Sequence, residues 1–205
     1  MFLETIKVTY TATTNRYKAM QILTSLKDEF ACDFEVASRL SEADKVIMQE
    51  KYELEDSELL STPFSHPSLT MITHLSVADS IDKGSVIICE NEAMRQLVYN
   101  FLVTTDKKQV WWNGVGYDFK RILYATGKVP KNWEDVMLLD KSLHNHAGIA
   151  NYKLKSVMGT KYGAWGLSKD IAFTKENMHN PQMLLYSATD ATACFCRWLE
   201  LKNTI

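Results

Sequence analysis

The chain has 205 residues, 46% of them hydrophobic and 23% charged, with only 8 glycines and 4 prolines. That suits one ordinary globular domain with a sizeable core and excludes a mainly disordered state. Lysines and arginines number 23 against 25 aspartates and glutamates, for a net charge of −2, so the basic excess of a protein that coats duplex nucleic acid is missing. Any nucleic acid is expected to be gripped locally, over a few phosphates.

No apolar run approaches the ~20 residues of a membrane span. The N-terminal stretch carries Glu4 and Lys7 and lacks an apolar core, so no secretory signal is expected. Cys32, Cys89, Cys194 and Cys196 lie in apolar stretches and read as buried thiols of a reducing compartment. The pairs His144-x-His146 and Cys194-x-Cys196 do not read as a zinc site, because residues two apart on a helix point to different sides.

Residues 6–11 alternate and are β-branched, which predicts a strand. Residues 15–27 place Tyr17, Met20, Leu23 and Leu26 at helical spacing, and the apolar run 30–36 reads as a buried strand. Residues 41–60 carry seven acids against Lys45 and Lys51, which predicts a solvated acidic helical insertion, followed by a loop at Pro63 and Pro67. Such a surface repels nucleic acid and is expected away from any phosphate path. Strands follow at 69–77 and 85–89, a helix capped by Asn91 at 91–103, a core strand at 109–112, and a helix at 117–126 closed by Gly127. Shorter helices are expected at 134–144 and 154–158. Asn180-Pro181 starts a final helix to about residue 201, with a core stripe of Leu184, Ala188, Ala191, Phe195 and Leu199. A strand meander followed by alternating strands and helices predicts an α/β fold, a mixed sheet with helices on both faces, in a single domain spanning 1–205.

Four carboxylates fall in unusual places. Asp33 and Glu35 lie two apart on an apolar strand, so period two puts both on one face. Burying them together is costly and raises both pKa values, and a divalent cation relieves both penalties. Asp118 follows the turn Asn113-Gly114-Val115-Gly116 and falls in the first turn of the next helix, where the macrodipole favours an anion and the two glycines allow a tight turn. Asp190 lies four residues after Tyr186, so carboxylate and phenol stand side by side on the last helix, opposite the apolar stripe. A carboxylate set without His or Cys suits Mg²⁺ or Mn²⁺, and two such ions can activate water and stabilise a leaving oxygen at phosphorus. Asp56-x-Glu58 and Tyr52-x-x-x-Asp56 repeat two of these patterns inside the acidic insertion, where a solvated helix face explains them.

In this order, the Asp-x-Glu strand, the Asn-x-x-x-Tyr-Asp junction and the Tyr-x-x-x-Asp helix resemble the three motifs of the DEDD superfamily of 3′–5′ exonucleases, in its tyrosine-bearing subgroup. The nearest likeness is to the proofreading domain of polymerase I-like DNA polymerases. It extends through Asp135-Val-Met-Leu-Leu and Tyr152-Lys-Leu-Lys-Ser-Val-Met-Gly and covers most of the chain except the acidic insertion. The resemblance implies a ribonuclease H-like five-stranded mixed sheet flanked by helices, with an extra N-terminal strand–helix unit. It implies that Asp33, Glu35 and Asp190 hold one metal and that Asp33 bridges to a second, which Asp118 also serves. Tyr186 then orients the nucleophile, and Asn113 helps hold the substrate end. Val36 departs from the threonine of many relatives.

The implied reaction is two-metal hydrolysis of single-stranded 3′ ends to nucleoside 5′-monophosphates, DNA ahead of RNA, with a separate polymerase as a candidate partner and no membrane. The setting expected is cytoplasmic, in a bacterial cell or a phage host. Two alternatives are a ribonuclease D-like exoribonuclease and a non-catalytic nucleic-acid-binding or polymerase-accessory protein. Trp111 and Trp112 read as core residues before base-stacking ones. Lys153, Lys155 and Lys161 read equally as phosphate contacts or solvated surface. His144 and His146 read as surface, and Leu40 as a weak candidate for a wedge between bases.

Overall fold

The segment Glu29–Ser38, built on the apolar run 30–36, forms the central strand β2 of a mixed sheet. Around it lie β1 (Thr9–Thr13), β3 (Thr70–Ala78), β4 (Lys83–Ile88), β5 (Lys108–Trp111) and β6 (Trp133–Asp135). The structure is a computed structural model and describes residues 5–41, 43–44, 46–47, 50, 66–144, 152–163, 165 and 174–204. Most of the acidic insertion, with Tyr52, Asp56 and Glu58, lies outside the described residues, as does His146.

The strand order is β1-β4-β3-β2-β5-β6. β3 runs antiparallel to β2 and β4, whereas β1 with β4, β2 with β5, and β5 with β6 are parallel pairs. β2, β4 and β5 therefore end on the same side of the sheet. The five strands from β4 to β6 form the ribonuclease H-like sheet, and β1 with the helix that follows it extends the β4 edge.

Six helices complete the described fold: α1 (Arg16–Ser25), α2 (Glu92–Thr104), α3 (Asp118–Thr126), α4 (Val136–His144), α5 (Leu154–Tyr162) and α6 (Pro181–Leu201). Their ends follow local chemistry. The side chains of Asn15, Asn91 and Asn180 accept from the backbone N–H groups of Lys18, Met94 and Gln182, and Pro181 opens α6. Gly127 stops α3 in the left-handed region at φ 69°, where its N–H bonds to Leu123 O.

Period two sorts β2 between two cores. Phe30, Cys32 and Phe34 pack with α1, α2 and α3, and Trp111 from β5 joins them. Trp111 is fully buried and meets the rings of Phe34 and Phe119 edge to face at 5.5 Å each, which makes it a core residue. Ala31 and Val110 face the opposite way, toward α5 and α6. The odd-numbered face of β2 is therefore the one that carries Asp33 and Glu35.

Four expectations need correction. β1 is Thr9–Thr13 rather than 6–11. On α1, Tyr17 and Met20 are exposed, and Ala19 with Leu23 forms the buried face. The segment 134–144 is not all helix: Trp133–Asp135 pairs with β5 before α4 begins. Three residues are too few to display a period, so only the neighbouring strand defines β6. Finally, α6 has no single stripe. Ser187, Thr189, Thr192 and Cys196 are buried with Ala188 and Phe195, and Leu199 is only partly buried. The helix lies across several strands and is covered on most sides.

Candidate active site

The odd face of β2 meets α6 at the carboxyl-terminal half of the strand. There the carboxylates of Asp33, Glu35 and Asp190 approach within 4.8 Å of one another. All three side chains are half-buried. They line a cavity of about 430 Å³ together with Asn113, Tyr117, Asp118, Tyr186 and Lys155. Every residue that the sequence analysis singled out for the site thus lies on this one cavity. Asp118 is on its wall but not in the three-carboxylate group.

The loop that delivers Asn113 and Asp118 is tied from below. The buried carboxylate of Asp135, at the end of β6, accepts from the N–H groups of Asn113 and Val115 at 3.1 Å each and from Leu138 N–H at 3.3 Å. Asn113 is the left-handed residue, with φ 61°. Gly114 and Gly116 make the turn tight by permitting close approach rather than through positive φ. A Cβ on Gly114 would lie 2.6 Å from Trp111 Cβ, and one on Gly116 would strike the Asn113 amide oxygen.

The electrostatics follow from burial. Asp33 and Glu35 are both pushed well above the usual carboxylate range, first by desolvation; the charges of Glu35 and Asp190 add to the rise at Asp33, and that of Asp190 to the rise at Glu35. Ser187 Oγ donates to Glu35 Oε1 at 3.2 Å and works against that rise. Asp190 is pushed up to about 6 by burial, opposed by hydrogen bonds from Trp165 and Tyr186 and by the charge of Lys155. The Trp165 indole N–H donates to Asp190 Oδ1 at 2.6 Å. Asp118 opens α3, yet burial outweighs the helix N-terminus and the Arg121 charge and pushes it up to about 8. Asp118 Oδ1 is buried without a hydrogen-bond partner among the described residues. The Tyr186 phenol is raised by burial and by the surrounding acids.

The rim adds cations and rings. Lys155 Nζ sits 4.0 Å from the centre of the Tyr186 ring, and Lys153 lies beside it on the cavity. Trp112 also lines the cavity, stacked on Tyr152 at 5.6 Å between centroids, so the two adjacent tryptophans have different surroundings. Lys161 is elsewhere, paired with Glu200. His144 is partly exposed and bonds Asp140 on α4. Leu40 does not line the cavity. Sequence reasoning missed Trp165, Ser187 and the tying role of Asp135. None of the three carries a local sequence signal, because each acts through a partner distant in the chain.

This sheet order with these flanking helices defines the chain as a ribonuclease H-like α/β protein. No family model matches the chain, and no curated protein matches it. Solved structures do. Brucella melitensis NrnC with bound Mg²⁺ is similar at TM-score 0.58 and 14% identity, over 98% of this chain and 81% of that one. The Aedes aegypti Nibbler EXO domain is similar at TM-score 0.64 and 12% identity, over 98% and 91%. The catalytic core of Trypanosoma brucei RRP6 reaches TM-score 0.65 at 12% identity, over 99% of this chain and 49% of that one. At 12–14% identity these likenesses show a shared fold, and the resemblance to the DEDD exonucleases rests on the sequence motifs. The likeness to polymerase proofreading domains in particular rests on the sequence motifs.

Proposed function

We propose that this chain is a divalent-metal-dependent 3′–5′ exonuclease that hydrolyses single-stranded nucleic acid to nucleoside 5′-monophosphates, with RNA as its leading substrate. The observation that carries the reading is the convergence of Asp33, Glu35 and Asp190 within 4.8 Å on a cavity that Asp118, Tyr186 and Asn113 also line.

The donors fit Mg²⁺ or Mn²⁺. They are all oxygens, crowded enough to hold protons against their ordinary pKa, and Asp118 leaves one buried oxygen without a partner among the described residues. Asp33, Glu35 and Asp190 would hold one ion, and Asp33 with Asp118 a second. Such ions supply Lewis-acid stabilisation at phosphorus and a water acidified to near neutral pH. Tyr186, bonded to Asp190, orients the attacking water through its hydroxyl. Asn113 contacts the terminal nucleotide from a loop that Asp135 holds rigid. Lys155 and Lys153 line the same cavity and would offer positive charge to the phosphates of the strand.

The choice of RNA draws on neighbours at low identity. Trypanosoma brucei RNase D is in complex with RNA U12, and Brucella melitensis NrnC is bound to pGG. DNA as substrate and a separate polymerase as partner draw on the sequence resemblance alone.

The test uses 5′-labelled single-stranded RNA and DNA of one sequence with Mg²⁺, Mn²⁺ or EDTA, beside Asp33→Ala. The expected result is a ladder shortening from the 3′ end, faster on RNA. It should be absent in EDTA and reduced roughly 10³-fold or more in the variant, the scale of losing a main electrostatic stabiliser. A ladder that survives EDTA or the variant overturns the mechanism, and faster DNA cleavage overturns the choice of RNA. Binding without any product supports the non-catalytic alternative.

A further inference from the structure

The carboxyl ends of β2, β4 and β5 lie on one side of the sheet, and a second cavity of about 250 Å³ opens there, on the α2–α3 side of β2. Three arginines line it. Arg39 follows β2, Arg95 stands on the first turns of α2 after β4, and Arg121 stands on α3 after β5. Each is held in place. Arg39 Nε donates to Thr70 O at 2.8 Å; Arg95 donates to Cys89 O at 3.0 Å and to Glu92 at 2.9 Å; Arg121 donates to Tyr117 O at 3.0 Å. Among the described residues Glu92 is the one acid on the cavity, and it is mostly exposed. Among the described residues, three guanidinium groups and one carboxylate line the cavity, in a chain whose net charge is −2. Among the described residues, the two terminal nitrogens of Arg39 and one of Arg95 have no further hydrogen-bond partner.

This cavity adjoins the catalytic one. The Arg121 guanidinium lies 3.8 Å from the centre of the Tyr117 ring, and Tyr117 lines the carboxylate cavity. Arg39, just beyond β2, is four residues past Glu35, at most about 13 Å of chain at ~3.3 Å per residue, with an irregularity of the strand between Glu35 and Val36. That span is roughly two to four nucleotides of strand at ~3.4 Å or more each. Fixed guanidinium forks suit phosphate oxygens better than mobile lysines do.

We propose that the Arg39–Arg95–Arg121 cavity binds a backbone phosphodiester of the substrate strand, a few nucleotides 5′ of the scissile bond. The proposal rests on the exonuclease reading above. It explains how a chain without overall positive charge holds a strand: a cationic notch grips the strand while its 3′ end enters the acidic cavity. The grip reads no base, so it serves RNA and DNA alike.

The test compares the parent chain with Arg39→Gln, Arg95→Gln and Arg39→Lys. Binding of a 5′-fluorescent single-stranded octamer is measured in EDTA by anisotropy across a salt series, and cleavage of the octamer and of a dinucleotide is followed in Mn²⁺. A dinucleotide engaged at the carboxylates is too short to reach the arginines. The Gln variants should bind the octamer roughly tenfold more weakly, the loss of one charge-assisted contact. The slope of log K against log salt should fall by about 0.7 for each arginine removed. Dinucleotide cleavage should stay at the parent rate, and Arg39→Lys should recover part of the binding. Thermal unfolding of each variant separates lost contacts from lost fold. Octamer binding equal to the parent overturns the proposal, as does an equal loss on octamer and dinucleotide in folded protein. A parent chain that neither binds nor cleaves the octamer overturns the exonuclease reading itself, and this proposal with it.

Discussion

Asp118→Asn separates what the site needs for folding from what it needs for chemistry. In the unfolded chain Asp118 ionises near about 3.9. In the folded, metal-free protein burial holds its proton up to about 8. Below the unfolded value both states are protonated and the group contributes nothing. Between the two values the folded state carries a proton that the unfolded state has released, so stability falls as pH rises. At pH 7 the penalty is about three pH units at 1.36 kcal/mol each, or about 4 kcal/mol; at pH 4.5 it is under about 1 kcal/mol.

Asparagine keeps the shape and removes the titration. In EDTA, Asp118→Asn should therefore gain about 4 kcal/mol over the parent at pH 7 and little at pH 4.5. For a domain of this size the gain at pH 7 is a rise of roughly 8–16 °C in Tm. Adding Mn²⁺ at pH 7 should raise the Tm of the parent more than that of the variant, and exonuclease activity should be lost in the variant. Thermal melts at the two pH values, with and without Mn²⁺, read all of this. Equal Tm values at pH 7 in EDTA, or a gain of the same size at both pH values, would refute the argument that buried Asp118 holds a proton.

Two further perturbations probe the supporting residues. Trp165→Phe removes the indole donor that sits 2.6 Å from Asp190 Oδ1; Mn²⁺ affinity should fall roughly 10–100-fold, the usual scale for losing a partner that orients a ligand. A metal titration checks it, and unchanged affinity reduces Trp165 to packing. Asp135→Ala leaves the N–H groups of Asn113, Val115 and Leu138 without their acceptor. The expected cost is about 2–4 kcal/mol in urea unfolding, with a loss of exonuclease rate in the protein that remains folded.

The candidate site was legible in the sequence because Asp33 and Glu35 break a local rule and Asp118 and Asp190 follow them in motif order. Two carboxylates on a strand otherwise made of Phe30, Ala31, Cys32 and Phe34 contradict burial unless a ligand compensates. Period two then fixed their shared face, and the i,i+4 rule fixed Tyr186 beside Asp190. The helix starts at Asn91 and Asn180 were legible because their side chains bond within three residues. What was not legible depends on distant partners. β6 exists only as a neighbour of β5, and the even burial of α6 reflects the several strands it crosses. Gly114 and Gly116 announced a special loop, but which atoms they make room for, Trp111 and the Asn113 amide, is a fact of packing.

Charge is where sequence and structure say different things and both are right. A net charge of −2 predicts weak long-range attraction to nucleic acid. The fold, however, segregates charge over short distances. Carboxylates lie at the bottom of one cavity, Lys153 and Lys155 at its rim, and arginines in the cavity beside it. Within one Debye length of about 8 Å these groups act individually, and beyond it they largely cancel. Association with a strand should therefore be slow and modest in its salt dependence compared with a basic duplex-binding protein. Discrimination falls to the last few nucleotides, where a 3′ end must satisfy the acidic cavity and the strand behind it the arginines.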